Sequence, residues 1–437
     1  MARAIRPLTR LHTGPPPQAK TAPDSGPLRR GRRWHAEYHL GGSPRPAAPT
    51  VHLVGNPGSG ETGGGRDSTG ENRGGESPAP LLASYDAIVC DLDGVVYRGA
   101  VALPHAVEVL TAAAGSGVRI AYATNNASRT PASVSRQLRE LGLKVRDQEV
   151  VTSSQAGAER ILALVGAGAL VLAVGGEGVR DALVARGLDV VNSAEVEGRQ
   201  VDAVLQGYGA EVGWRDLAEA AYAVQGGAIW VATNDDSTLP TERGVAPGNG
   251  SLVAAVRAAV DSGPVVVGKP HTPLYELSAS VLRTSPARTL AVGDRVDTDI
   301  HGANAAGMDA LLVLTGVSSV TDLAYAAPGH RPRYIGLDLR CLLQPHPLPQ
   351  GQGSSRAAGA SWTCGDARVR LSADGRMSGL TAGSLENRLR AAITAIWSAM
   401  DHEHSLAERG RAAAVTADAV TAVSRMVQAN ASRSGRQ

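Results

Sequence analysis

The sequence predicts an α/β protein: a parallel sheet with helices on its faces, a second α/β unit inserted into it, and a small α+β appendage at the C-terminus. Three observations carry this. Short apolar runs, too brief for helices, alternate with longer amphipathic stretches, the order that builds parallel sheets. Several of these runs end in polar residues (Asp91 and Asp93, Thr124, Lys269, Asp294), and open parallel sheets bind ligands at that carboxyl edge. Composition also shifts on both sides of the alternating region, with Pro, Gly and Arg before it and Pro, Gln, Gly and Ser after it.

Residues 1 to 80 are Pro-, Gly- and Arg-rich without sustained periodicity, so they bury too little surface to order themselves. The expectation is a solvated tail, or an extension arising from an upstream start. It has no apolar core of a secretory signal. Gly55–Thr62, GNPGSGET, lacks the lysine of a phosphate-binding P-loop and has no strand before it.

The next segment, 81–168, opens the main sheet. Ala87 to Cys90 reads as a buried strand and runs into Asp91, Asp93 and Gly94. Ala106 to Ala114 reads as a helix and Val118 to Ser128 as a strand ending in Thr124, Asn125 and Asn126. Thr130-Pro131 then supplies an N-cap and first-turn proline for a helix with the stripe Val134, Leu138 and Leu141.

Segment 169–263 is expected to be a unit of its own. Its strands are 169–176, 201–208 and 228–236, with helices at 178–186, 214–224 and 251–260 and a loop through Pro240, Gly244, Pro247 and Gly250. Trp214 and Trp397 are read as core residues. The main sheet resumes over 264–340: Pro264 to Pro270 ends in Lys269, Arg288 to Ile300 ends in Asp294 and Asp299, and Ala310 to Leu314 is the final strand. A linker is expected over 341–360. The last unit, 361–437, holds a hairpin turning at Asp374-Gly375 and two helices, 385–400 and 408–428.

A net charge of +2 over 437 residues gives no general attraction to nucleic acid. No run approaches the roughly 20 apolar residues that span a bilayer. Cys90, Cys341 and Cys364 form no paired framework, which fits a reducing cytoplasm. Lysine occurs only at positions 20, 144 and 269, so one at a strand end is conspicuous.

A lone D-x-D-G after a strand is compatible with a plain polar turn. Its company argues for chemistry. In a parallel sheet Asp91, Asp93, Thr124, Lys269, Asp294 and Asp299 share one edge. Several carboxylates there need a cation, and hard oxygen ligands suit Mg²⁺. A lysine and a hydroxyl beside such an ion suit a phosphoryl group. One carboxylate can attack phosphorus while the other handles the proton.

DLDGVVYRG, ATNN, GKP and GDRVDTDI resemble the four ordered motifs of the haloacid dehalogenase superfamily, over about 84–323. The spacing resembles its IIA branch of small-molecule phosphatases. The resemblance implies a Rossmann-like core with an inserted, mobile cap over 169–263. It implies Asp91 as nucleophile, Asp93 as acid and base, and Thr124, Lys269 and the backbone of Asn125 and Asn126 as phosphoryl ligands. Mg²⁺ would be held by Asp91, the Asp93 carbonyl and Asp294, with Asp299 supporting them from behind. Ion-pumping relatives carry Thr at the position of Asp93, and dehalogenases lack that acid, so a phosphatase is expected. The substrate would be a small phosphorylated metabolite, glycerol 3-phosphate first, with nucleotide 5′-monophosphates and sugar or aryl phosphates as alternatives. A non-enzymatic phosphometabolite sensor is the rival from another class. The last unit resembles a small acetyltransferase-like domain appended to actinobacterial glycerol-3-phosphate phosphatases. It has no Q/R-x-x-G-x-G/A stretch for coenzyme A, so homodimerisation or covering the cap is the role expected of it.

Overall fold

The strand β1 (Ala87–Cys90) is buried along its whole length, which explains why it is a continuous apolar run instead of an alternating one. In this computed structural model, residues 78–241, 243–352, 360–372, 374–401 and 406–434 are described; the expected tail lies outside them except for 78–80. After β1 come a short hairpin, β2 (Tyr97–Arg98) and β3 (Val101–Ala102), then α1 (Ala106–Gly115), β4 (Arg119–Thr124) and α2 (Pro131–Glu140). Thr130 caps α2 as the sequence predicts, its hydroxyl accepting from the Ser133 N–H at 3.1 Å. β5 (Val150–Thr152) and α3 (Ser153–Val165) complete this half.

The inserted unit follows: β6 (Leu170–Val174), α4 (Glu177–Val184), β7 (Asp189–Val191), β8 (Ala203–Gln206), α5 (Trp214–Gln225), β9 (Ile229–Ala232), β10 (Thr238–Thr241), β11 (Gly244–Pro247), α6 (Asn249–Arg257) and β12 (Val265–Val266). The chain returns through α7 (Pro273–Leu282), β13 (Thr289–Gly293), α8 (His301–Ala305), β14 (Asp309–Val313), α9 (Val320–Ala324) and β15 (Tyr334–Gly336). Last come β16 (Gln350–Gln352), β17 (Ala360–Cys364), β18 (Ala367–Leu371), β19 (Met377–Ser378), α10 (Leu385–Asp401) and α11 (Leu406–Ser434).

The main sheet has the order β15-β14-β13-β1-β4-β5 and is parallel throughout. Chain order runs outward in both directions from β1 and β13, so the crevice of a switch point opens between them. Ile88 and Cys90 face one apolar layer with Leu110 and Leu138, while Ala87 and Val89 face another with Leu274 and Leu282. The inserted sheet, β12-β9-β8-β6-β7, is also parallel. The C-terminal sheet, β16-β17-β18-β19, is antiparallel and packs Val369 against Leu389, Ile393 and Ile396 of α10. Arg390 on α10 is buried and donates to the Ile335 carbonyl at 2.9 Å, fastening this unit to the main sheet.

Five expectations need correction. β12 pairs with β9, Val265 opposite Val231, so the inserted unit reaches Val266, beyond the expected boundary after 263; a two-residue strand has no periodicity to declare its sheet. The loop through Pro240 is an antiparallel hairpin, β10 with β11, which tolerates its prolines because it has only edges. Ala310 to Leu314 does not end the main sheet, since β15 adds to it. The segment 341–360 is not merely a linker: Cys341 and Leu342 are buried, and β16 starts the last sheet; residues 353–359 lie outside the described ones. Trp214 is 80% exposed at the first turn of α5, whereas Trp397 is packed and donates its Nε1–H to the Leu323 carbonyl at 3.0 Å. Among the described residues no helix is long and apolar enough to cross a membrane.

Candidate active site

β1 delivers Asp91 directly and Asp93 one residue beyond a buried Leu92. Gly94 follows with φ +86°, a left-handed turn that suits glycine. A Cβ there would lie 2.4 Å from an Asp294 carboxylate oxygen, so space also demands glycine. The strand registers pair Cys90 with Tyr122 of β4 and with Val292 of β13. Thr124 and Asp294, each two residues further on, therefore flank the Asp91–Asp93 turn from its two neighbours.

Lys269 joins the cluster from the inserted sheet, three residues after β12. It is 3% exposed, and its Nζ donates to Asp91 and, at 3.0 Å, to Asp299. Asp299 is buried in a π-helical turn, and its other oxygen accepts from the N–H groups of Asp294 and Arg295 at 3.2 and 3.1 Å. Asp294 is 1% exposed and accepts from the Val317 N–H at 2.6 Å. One carboxylate oxygen each of Asp91, Asp294 and Asp299 lie within 4.8 Å of one another.

Such crowding shows in the ionisation. Burial, with Asp299 and Asp294 adding, holds the Asp91 pKa well above the carboxylate range against the pull of Lys269. Burial and Asp299 push Asp294 up to about 6. Burial alone would lower Lys269, yet Asp299 and Asp91 raise it well above the usual amine value. Asp93 is exposed, but dense protein around it raises its pKa, offset by Lys269 and Arg129. Four carboxylates against one ammonium leave a negative surplus. A hard divalent cation held by oxygen donors fits that surplus.

Thr124 is buried at the end of β4, its Oγ1 accepting from the Asn126 N–H at 3.0 Å. Asn126 is exposed, and its side chain accepts from the Ser128 N–H and hydroxyl. Asn125 does more than offer backbone: its side chain binds the main chain of Lys269 and the carboxylate of Asp236. Asp236, in the loop after β9, accepts from Asn125 Nδ2 at 3.1 Å. Arg129 and Arg295 were not singled out at all. Nothing in their spacing separates them from the chain's many other arginines.

Residues 88–189 match the family described as haloacid dehalogenase-like hydrolase, and residues 266–342 match one described as HAD-hydrolase-like. The chain is 46% identical over 264 residues to the D-glycerol 3-phosphate phosphatase of Mycobacterium tuberculosis, covering 60% of this chain and 72% of that one. It is 36% identical to the 5′-nucleotidase YutF of Bacillus subtilis, covering 54% and 90%. Among solved structures, the M. tuberculosis glycerol phosphate phosphatase in complex with magnesium matches with a TM-score of 0.60 at 40% identity, covering 72% of this chain and 92% of that one.

Proposed function

We propose that this chain, which belongs to the haloacid dehalogenase-like hydrolases, is a Mg²⁺-dependent phosphatase acting on a small phosphomonoester. The observation carrying this reading is Lys269 Nζ seated between Asp91 and Asp299, with the Asp294 carboxylate beside them. An ammonium among carboxylates at a sheet's switch point is built to receive phosphoryl oxygens on one side and a nucleophile on the other.

In the proposed reaction an Asp91 carboxylate oxygen attacks phosphorus as the ester P–O bond breaks. Asp93, exposed and raised in pKa, protonates the departing oxygen. Water then attacks the aspartyl-phosphate, Asp93 takes its proton, and phosphate and free Asp91 result. Lys269 and Thr124 hold the phosphoryl oxygens. Asp91, Asp294 and the Asp93 carbonyl are the residues to hold Mg²⁺, with Asp299 behind them. Bound there, the ion supplies charge neutralisation for the phosphoryl group.

Glycerol 3-phosphate is the first substrate of the proposal, supported by the 46% identity to a phosphatase named for it. A nucleotide 5′-monophosphate is the second, supported by the 36% identity to a 5′-nucleotidase. The test is phosphate release from a panel of phosphate esters, with Asp91→Asn assayed beside the parent. Turnover of the panel by the parent and its loss in the variant are expected. Equal activity in both refutes the assignment of Asp91, and no turnover by the parent favours a phosphometabolite sensor.

A further inference from the structure

The Asn125 side chain hydrogen-bonds both the inserted unit's loop and the backbone that carries the lysine. Its Oδ1 accepts from the Lys269 N–H at 2.8 Å, and its Nδ2 donates to the Lys269 carbonyl at 3.0 Å. The amide thus grips one residue's N–H and C=O together, as a neighbouring strand would. The other Nδ2 hydrogen goes to Asp236 Oδ2 at 3.1 Å. Its own carbonyl accepts from Ser153 Oγ on α3 and from Asn234 Nδ2, both at 2.8 Å. Asn234 in turn is tied at its carbonyl to Asn249 Nδ2 at 2.7 Å. The fit is close as well as polar, since a Cβ on Gly268 would lie 2.7 Å from Asn125 Oδ1 and 2.4 Å from the Thr233 carbonyl.

Every hydrogen of this side-chain amide is therefore committed inside the protein, so the side chain is not arranged to meet a substrate. We propose that Asn125 is a positioning residue: it sets the place of Lys269 Nζ between Asp91 and Asp299, and through Asp236 it makes that place depend on the inserted unit. This rests on the phosphatase reading for its kinetic consequence but not for its structural one. Lys269 has no other side-chain grip on its main chain among the described residues, and its ammonium lies at the end of a flexible four-carbon stem. Without the clamp, the backbone at Gly268–Lys269 is free to shift, and the ammonium with it. Asp236 acts on the same amide from the far side. Removing it loosens one of three bonds and leaves the two to Lys269.

The scarcity of lysine makes the experiment clean. Lys269 is buried and Lys144 is exposed, so an amine-acylating reagent followed by peptide mass spectrometry reads Lys269 against an internal standard. Asn125→Ala is expected to speed Lys269 acylation several-fold relative to Lys144, and Asp236→Ala to speed it less. With an aryl phosphate, Asn125→Ala is expected to lower kcat by about 100-fold, the usual effect of an ångström-scale misplacement, with KM changed little. Asn125→Asp, which keeps the Oδ1 acceptor and loses both donors, serves should the alanine variant fail the circular-dichroism check of folding. Unchanged Lys269 acylation in a folded Asn125 variant overturns the proposal, as does a loss expressed only in KM. If the parent releases no phosphate, the phosphatase reading fails while the acylation ratio still decides whether the clamp exists.

Discussion

Replacing Lys269 by methionine keeps the length of the side chain and removes its charge, which isolates the ion pair from the packing. Lys269 is 3% exposed, with Asp299 at 3.0 Å and Asp91 closer still, and the Asp294 carboxylate lies in the same group. Taking away the cation leaves buried carboxylates facing one another. Breaking a buried pair in this way costs about 3–5 kcal/mol. At roughly 2–4 °C per kcal/mol for a domain of this size, that lowers the melting temperature by about 6–20 °C. Lys269→Arg supplies the complementary case, because it keeps the charge but replaces a compact ammonium with a planar fork. It is expected to melt closer to the parent than the methionine variant while losing phosphatase turnover. Thermal denaturation without divalent ions and phosphate release on an aryl phosphate read the two effects separately. A methionine variant melting within about 1–2 °C of the parent, corresponding to about 1 kcal/mol or less, refutes the claim that this pair organises the site. Full activity in Lys269→Arg refutes the requirement for a point charge.

Three further outcomes are expected. His346 lies edge-on to the Tyr334 ring at 5.0 Å with its Nδ1 buried and without a partner among the described residues, and burial plus the nearby Arg390 depress its pKa to about 3. The folded state thus refuses a proton that the unfolded chain accepts below about pH 6.5, so stability present above that pH is lost at about 1.4 kcal/mol per unit as pH falls towards 3. His346→Phe should remove this component, and a parent-minus-variant stability difference that stays flat from pH 7.5 to 5 argues against it. Gly316→Ala would put a methyl group 1.8 Å from an Asp294 oxygen, so kcat is expected to fall by about 100-fold; unaltered steady-state kinetics dismisses the idea that this glycine keeps the carboxylate in place. Asp93→Asn should lower turnover by about 10²–10⁴-fold, most strongly for esters with poor leaving groups, and an equal loss for aryl and alkyl esters speaks against Asp93 as the acid.

Much of the main sheet was legible because its strands are buried on both faces and so stand out as apolar runs between helical stretches. Thr130-Pro131 marked a helix start that the structure keeps to the residue. Asp91, Lys269 and Asp294 were legible as charged residues following strands, while Asp299, expected at the same strand end as Asp294, sits in the π-helical turn Val296–Ile300 beyond β13; the structure brings all four charged groups together. What escaped depended on contacts between distant segments. β12 is too short to reveal its partner, and β15 lies where the apolar pattern thins. The side-chain role of Asn125 was invisible because its partners, Asp236 and Lys269, are 111 and 144 residues away. Trp214 misled for a simpler reason: an aromatic residue suggests a core, and only the facing of α5 puts it in solvent.

The membership of β12 in the inserted sheet bears on how this protein can be recombined. A chimera that exchanges the inserted unit at the expected boundary before Pro264 would part the donor's β9 from its own β12 and set it against the host's Val265–Val266 instead. Cutting between Val266 and Gly268 instead would carry β12 with its own sheet and leave Lys269 with the recipient. Asn125 would come from the recipient and Asp236 from the donor, so a graft must also match that contact across its seam. In this architecture the lysine is not the property of either module but of their junction.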